Sequence, residues 1–172
     1  VSATYMLNDS TGYIRIKNFG EMTYAEMVGA LANLSVEGFQ NLVIDLRDNN
    51  GGYLEAATQM ANEFLPKDRL IVYTQGRKSP RMNYKSDGRG VFQKLPIVVL
   101  INEGSASAAE IFAGAIQDND RGMVIGRRSF GKGLVQKQIE FPDGSMIRLT
   151  VARYYTPSGR CIQKPYVLGD GA

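Results

Sequence analysis

IVVLINEGSASAAEIFAGA, residues 97–115, is the stretch whose reading decides the fold. Ile97–Ile101 is a continuous apolar run, the pattern of a strand buried in a parallel sheet. Gly104 to Ser107 is a turn of small residues. Beyond it Ala108, Ile111, Phe112 and Ala115 recur at helical spacing. Strand, tight turn and helix together place a hydroxyl at a helix N-terminus, where backbone N–H groups lack intrahelical partners. Such a place hosts a nucleophile beside an oxyanion site. It equally suits a well-capped helix, because Ser107 and Glu110 spell a capping box.

Outward from this unit, the chain repeats the same alternation. Gly12–Phe19 reads as a strand, with Ile14 and Ile16 set against Arg15 and Lys17. Thr23 and Glu26 form a second capping box, followed by Tyr24, Met27, Val28, Leu31 and Leu34 at helical spacing, with Gly38 past the end. Leu42–Leu46 is a short apolar run. Asp48–Gly52 breaks the chain before a helical stripe of Leu54, Ala57, Ala61, Phe64 and Leu65, which Pro66 stops. Leu70–Tyr73 and Met123–Ile125 read as further strands. Between them Gln75–Lys94 is polar, carries six Lys/Arg against one Asp, and reads as a surface excursion. At the end, Leu134–Phe141 and Met146–Tyr155 flank Pro142-Asp143-Gly144, a hairpin signal. The expected fold class is α/β, a mostly parallel sheet with flanking helices and a C-terminal β-hairpin.

Composition narrows the chemistry. The chain has 172 residues, enough for one good core, and a net charge of +3 that is too mild to argue for nucleic acid. Its single cysteine, Cys161, excludes an internal disulfide and reads as a bystander thiol without a local base. No apolar run reaches membrane-spanning length, and Val1–Thr11 lacks the basic start and apolar centre of a signal peptide. The first residue is Val1, so a processed or trimmed piece is expected. The decisive number is zero histidines. It rules out a Ser/His/Asp triad, a Cys/His dyad and imidazole zinc ligands within this chain. A catalytic base must then be a carboxylate, a lysine, a tyrosine or a borrowed group.

Two further stretches bear on that base. Gly126–Gly133, GRRSFGKG, nearly matches a phosphate-binding loop. However, Gly133 replaces the magnesium-binding hydroxyl residue, and a strand rather than a helix follows. Lys132 within it sits between two glycines just before that strand. A lysine is a general base only when neutral, which burial or neighbouring cations such as Arg127 and Arg128 favour; an ordinary surface lysine in a turn fits the same segment. Arg47-Asp48-Asn49-Asn50-Gly51-Gly52 follows a buried strand. Its glycines can present consecutive N–H groups to an anion, or simply make a strand-to-helix turn. A parallel sheet brings all three strand ends to one edge, where such sheets place ligands. With no histidine, Ser/Lys is the nucleophile–base pair to test.

Four motifs in order give the chain a resemblance. Leu46–Gly52 with Tyr53-Leu54, Val99–Ile111 (VLINEGSASAAEI), Ile125–Gln136 (IGRRSFGKGLVQ) and Thr156–Gly159 make residues 12–163 similar to the carboxy-terminal processing, or tail-specific, serine peptidases. The resemblance implies a Clp-protease/crotonase-like core. By position it implies Ser107 as nucleophile in preference to Ser105, Lys132 as general base, Gln136 orienting Lys132, and an oxyanion hole from the backbone N–H groups of Ala108, Gly51 and Gly52. It implies no metal and no cofactor. The partners it implies are proteins or peptides with accessible C-terminal tails rather than nucleic acid, and the location is the bacterial cell envelope or periplasm. Asn50 stands where the family usually has proline, and Ala109 where a third small hydroxyl residue is common. The family usually carries an N-terminal helical segment and a PDZ domain, which captures C-termini by strand addition. Residues 1–172 are therefore expected to form a single serine peptidase catalytic domain, without the PDZ domain. Two other functions suit the same fold: a crotonase-like acyl-CoA enzyme, and a non-catalytic peptide-binding scaffold.

Overall fold

The computed structural model describes residues 1–165. In chain order the elements are β1 (Ala3–Asn8), β2 (Thr11–Arg15), α1 (Thr23–Val36), β3 (Asn41–Asp45), α2 (Leu54–Phe64), β4 (Leu70–Gln75), β5 (Met82–Lys85), β6 (Ile97–Ile101), α3 (Ala108–Asp118), β7 (Met123–Gly126), β8 (Leu134–Glu140) and β9 (Met146–Tyr155). They build two sheets, ordered β1-β2-β3-β6-β7 and β5-β4-β9-β8. In the first sheet β2, β3, β6 and β7 are parallel neighbours, and only the edge pair β1–β2 is antiparallel. The second is antiparallel throughout. The mostly parallel sheet and the β8–β9 hairpin agree with the sequence pattern.

Alternate residues explain how the first sheet is buried. Ile14, Ile16, Leu42, Ile44, Leu46, Ile97 and Val99 join one cluster with Met27, Leu31 and Leu34 of α1, Met60 and Phe64 of α2, and Ile111 and Phe112 of α3. Each fully buried Leu, Ile or Phe contributes about 1.5–3 kcal/mol from removed apolar surface. The intervening Val43 and Val98 are only half-buried. The continuous apolar runs therefore do not mean two equally covered faces. The other face instead carries Tyr13 and Asp45.

Helix α3 is buried on every side from Ala108 to Ile116. It packs against α2, β4 and β7, so it stands between the two sheets and its N-terminus is held firmly. Three local readings are corrected. Thr23 does not cap α1: its hydroxyl accepts the Gly20 N–H at 2.9 Å and donates to the Asn18 carbonyl, tying down the preceding turn instead. The polar excursion Gln75–Lys94 contains a strand, β5, which pairs with β4. Strand β4 leaves the parallel alternation to join β9.

Candidate active site

Parallel pairing of β2, β3, β6 and β7 aligns their C-terminal ends, and the segments leaving them are stitched together by backbone and amide hydrogen bonds. Asn102, after β6, accepts the Asp48 N–H at 2.8 Å and donates to Asp48 Oδ1 at 2.7 Å. The Ala106 N–H donates to the Asn49 carbonyl at 2.8 Å, and the Phe130 N–H to the Ser105 carbonyl at 3.0 Å. The turns after β3, β6 and β7 thus form one continuous surface around residues 105–108.

Burial separates the two serines. Ser105 is wholly buried. Its hydroxyl donates to the Leu46 carbonyl at 2.8 Å and accepts the Asn102 N–H at 3.0 Å, so it braces the two turns. Ser107 is partly exposed. Its backbone has φ 54° and ψ −114°, a sparsely populated region for a residue with a Cβ, and it is the last residue before α3. Its hydroxyl stands over the third helical residue in capping-box fashion yet makes no cap hydrogen bond. The Glu110 N–H instead finds the Ser107 carbonyl at 2.9 Å.

Glu110 is the hub of the site. It is 7% exposed. Its Oε2 accepts the Ser107 N–H and the Lys132 N–H, both at 2.8 Å. Its Oε1 accepts the Ser129 hydroxyl and the Gly131 N–H, both at 2.7 Å. Two bonds to one oxygen keep the backbone nitrogens of Ser107 and Lys132 within twice 2.8 Å of each other. The loop that resembled a phosphate cradle thus has Gly131 and Lys132 N–H groups already turned onto an internal carboxylate. From its far side the Lys164 N–H donates to the Gly131 carbonyl at 2.9 Å, and the Gly133 N–H donates to Gln163 Oε1 at 3.0 Å.

The side chains of Lys132 and Gln136 are exposed. No hydrogen bond among the described residues joins Lys132 Nζ to Ser107 or to Gln136; Gln136 Nε2 reaches Thr150 Oγ1 across the hairpin at 3.5 Å. The fold therefore brings the main chains of Ser107 and Lys132 together and leaves the tips of Lys132 and Gln136 in solvent. Resting sites commonly tighten only around substrate.

The turn at Gly51 closes over the nucleophile candidate. Gly51 has φ 92°, and a Cβ there would lie 2.6 Å from the Ala106 carbonyl oxygen and 2.7 Å from Ser107 Cβ. Only glycine allows both the conformation and the approach. Its N–H donates to Asn49 Oδ1 at 2.8 Å. The N–H groups of Gly52 and Ala108 have no partner among the described residues. Beneath the turn, Arg47 clamps buried Asp45 through Nε and Nη2, and the Tyr13 hydroxyl adds a 2.6 Å bond. Burial pushes the Asp45 carboxyl up, but the bonds from Arg47 and Tyr13 outweigh it and hold the group at about 2. Burial first, and the adjacent Asp45 second, raise the Tyr13 hydroxyl above its ordinary value.

Cys161 is exposed. It lines a cavity of about 320 Å³ with Ser105, Glu110, Ser129, Phe130 and Gly131, behind the loop rather than at Ser107. Sequence reasoning missed two site residues: Glu110 beyond its capping role, and Asn49. Their signal was a carboxylate inside an otherwise apolar helical run and an amide in the turn that follows a buried strand.

A family model described as peptidase family S41 matches residues 10–171. A carboxyl-terminal-processing protease from Synechocystis sp. is 42% identical over 161 residues, covering 94% of this chain and 37% of that protein. A chloroplastic C-terminal processing peptidase from Tetradesmus obliquus is 40% identical over 159 residues, covering 92% of this chain and 34% of that protein. Among solved structures, a photosystem II D1 C-terminal processing protease superposes with a TM-score of 0.84 at 39% identity, covering 89% of this chain and 39% of that one. The chain thus spans less than two fifths of the length of these relatives.

Proposed function

Because the chain belongs to peptidase family S41, we propose that residues 1–172 form the catalytic domain of a serine endopeptidase that cuts proteins near their C-termini. Ser107 is the nucleophile, Lys132 the general base and Gln136 the partner that orients the lysine amine. The observation that carries this reading is the shared Glu110 oxygen, which fixes the Ser107 and Lys132 main chains side by side. The flexible four-carbon stem of lysine spans what remains.

The neutral Lys132 amine takes the Ser107 hydroxyl proton as Oγ attacks the scissile carbonyl. The developing oxyanion is held by the Ala108 N–H and by the Gly51–Gly52 turn, in which the amide with no partner among the described residues is that of Gly52. The C–N bond then breaks, the lysine ammonium returns its proton to the leaving amine, and an acyl-enzyme on Ser107 remains. Water, deprotonated by the same lysine, attacks the ester; the acyl C–Oγ bond breaks, the lysine ammonium returns the proton to Ser107 Oγ, and the new C-terminus leaves. The substrates are proteins or peptides with accessible C-terminal tails, and the kinship extends the proposal to the bacterial cell envelope or periplasm. No helix among the described residues is long and apolar enough to cross a membrane.

The test is cleavage of an unfolded protein bearing an apolar C-terminal tail, with Ser107→Ala and Lys132→Ala beside the parent. Each substitution is expected to lower the rate by several orders of magnitude. The parent rate is expected to rise toward alkaline pH. A Ser107→Ala protein that cleaves as fast as the parent refutes the assignment; an optimum well below neutrality points to a carboxylate base.

A further inference from the structure

Asn49 is a buried polar side chain with every kind of hydrogen-bonding group in use. It is 0% exposed. Its N–H donates to the Leu46 carbonyl at 3.2 Å, and its carbonyl accepts the Ala106 N–H at 2.8 Å. Its Nδ2 donates to the Ile16 carbonyl at 2.7 Å, and its Oδ1 accepts the Gly51 N–H at 2.8 Å. One residue thus joins the end of β2, the glycine turn after β3 and the residue preceding Ser107.

The geometry of that turn gives the linkage a purpose. Phe19 and Gly52 form a parallel bridge: the Phe19 N–H donates to the Gly51 carbonyl and the Tyr53 N–H to the Phe19 carbonyl, both at 2.8 Å. The peptide joining Gly51 to Gly52 is planar and trans, so its carbonyl and its N–H point in opposite directions. With the carbonyl turned to Phe19, the Gly52 N–H faces away from it, on the exposed side of the turn. Two adjacent glycines do not keep such an orientation unaided, since glycine reaches most of backbone space. The Asn49 carboxamide holds one end of the turn while Phe19 holds the other.

We infer that Asn49 is a positioning residue for the oxyanion site, its carboxamide fixing the Gly51–Gly52 turn so that an amide donor is preset beside Ser107 before substrate arrives. The inference rests on the Ser107 peptidase reading above. Asn49 touches neither substrate nor the reacting atoms. Its effect belongs to the transition state, where the donor must already be in place, rather than to substrate binding.

The experiment compares the parent, Asn49→Ala, Asn49→Asp and Ser107→Ala by peptide-cleavage kinetics, by Ser107 labelling with a fluorophosphonate, and by thermal melting. For Asn49→Ala, kcat is expected to fall about tenfold to a hundredfold, less than loss of a donor outright, with KM within about twofold and labelling slowed in parallel. Asn49→Asp is nearly isosteric and decides the matter if Asn49→Ala does not fold. Protonated, its carboxyl donates to the Ile16 carbonyl and accepts from Gly51, as the amide does; ionised, it sets a negative oxygen against that carbonyl. Burial favours the neutral form, so the kcat of Asn49→Asp relative to parent is expected to rise as pH falls. A folded Asn49→Ala with parental kcat, or a variant-to-parent ratio that is flat with pH, overturns the inference while leaving the peptidase reading standing. A parent that neither cleaves nor labels, or a Ser107→Ala protein as fast as parent, overturns that reading and the inference with it.

Discussion

Glu110→Gln is the substitution that most sharply tests how the site is assembled. The carboxylate accepts four donors, two on each oxygen, in a nearly water-free position. Glutamine keeps one acceptor oxygen and turns the other into a donor. With its carbonyl at the Oε2 position, it retains the bonds from the Ser107 and Lys132 N–H groups. Its amide then meets Ser129, whose hydroxyl can rotate to accept, and the Gly131 N–H, which cannot. One buried N–H is left without a partner, at about 1–3 kcal/mol, and the surviving bonds lose their charge assistance. The expected total is a loss of about 2–4 kcal/mol in urea unfolding at unchanged slope. Glu110→Ala strands all four donors and is expected to cost more, about 4 kcal/mol even with water entering the space. Because the bonds that move carry the Lys132 loop, kcat of Glu110→Gln is expected to drop about tenfold while KM stays near parent. If Glu110→Gln unfolds at the parental urea midpoint, the four-bond hub is refuted. If stability falls but kcat does not, Glu110 supports the fold without aligning Ser107 and Lys132.

Two further outcomes follow from burial and ionisation. Ser105→Ala leaves the Asn102 N–H without its partner and the Leu46 carbonyl with only the longer bond from the Asn49 N–H, so it is expected to lose about 1–3 kcal/mol in denaturant unfolding; Ser107→Ala is expected within about 0.5 kcal/mol of parent, and the reverse ranking would mean the two serines have been assigned to the wrong roles. Asp45 is held at about 2 against an ordinary 3.8, so its contribution, about 2 kcal/mol, is present above pH 4 and is lost as pH falls through 2. Acid unfolding of Asp45→Asn is expected to lack that component, and an unchanged acid limb would show that the Arg47–Tyr13 clamp adds no stability.

What was legible in the sequence followed from local rules. The unit around residues 97–118 announced itself through an apolar run, small residues and helical spacing, and the hairpin through Pro142-Asp143-Gly144; both need only neighbours in the chain. The parting of β4 from the parallel sheet was not legible. Its partner β9 lies some eighty positions away, and a short apolar run reads alike in either kind of sheet. Strand β5 was hidden because its residues are largely exposed at a sheet edge and so carry little apolar alternation. The choice between Ser105 and Ser107 came from the family motif rather than from spacing. The structure shows a difference between them: the Ser105 hydroxyl is bonded to Leu46 and Asn102, and the Ser107 hydroxyl makes no such bonds among the described residues. Glu110 was half-legible: its helical position gave the bond to the Ser107 N–H, but its ties to Ser129, Gly131 and Lys132 depend on a loop that only the folded sheet brings over α3.

That half-legible carboxylate also bears on the competition between a capped helix and the proposed nucleophile at the same residue. A capping box satisfies two donors reciprocally, one through the serine hydroxyl and one through the glutamate. At Ser107 both halves of the box are in place, but only the glutamate half is a hydrogen bond: the Ser107 hydroxyl stands over the Glu110 N–H, which bonds the Ser107 carbonyl at 2.9 Å. The backbone at φ 54° and ψ −114° is unfavourable for a residue with a Cβ by about 1–3 kcal/mol. It persists because neighbours on three sides determine it: Glu110 on the Ser107 N–H, Asn49 on the Ala106 N–H, and Gly51 packed where any side chain would collide. The strain and the unspent hydroxyl are therefore one feature. A relaxed serine at this helix start would cap it and be consumed; the strained one leaves its hydroxyl above the helix terminus, next to an Ala108 N–H that has no partner among the described residues and near a lysine whose main chain hangs from the same carboxylate.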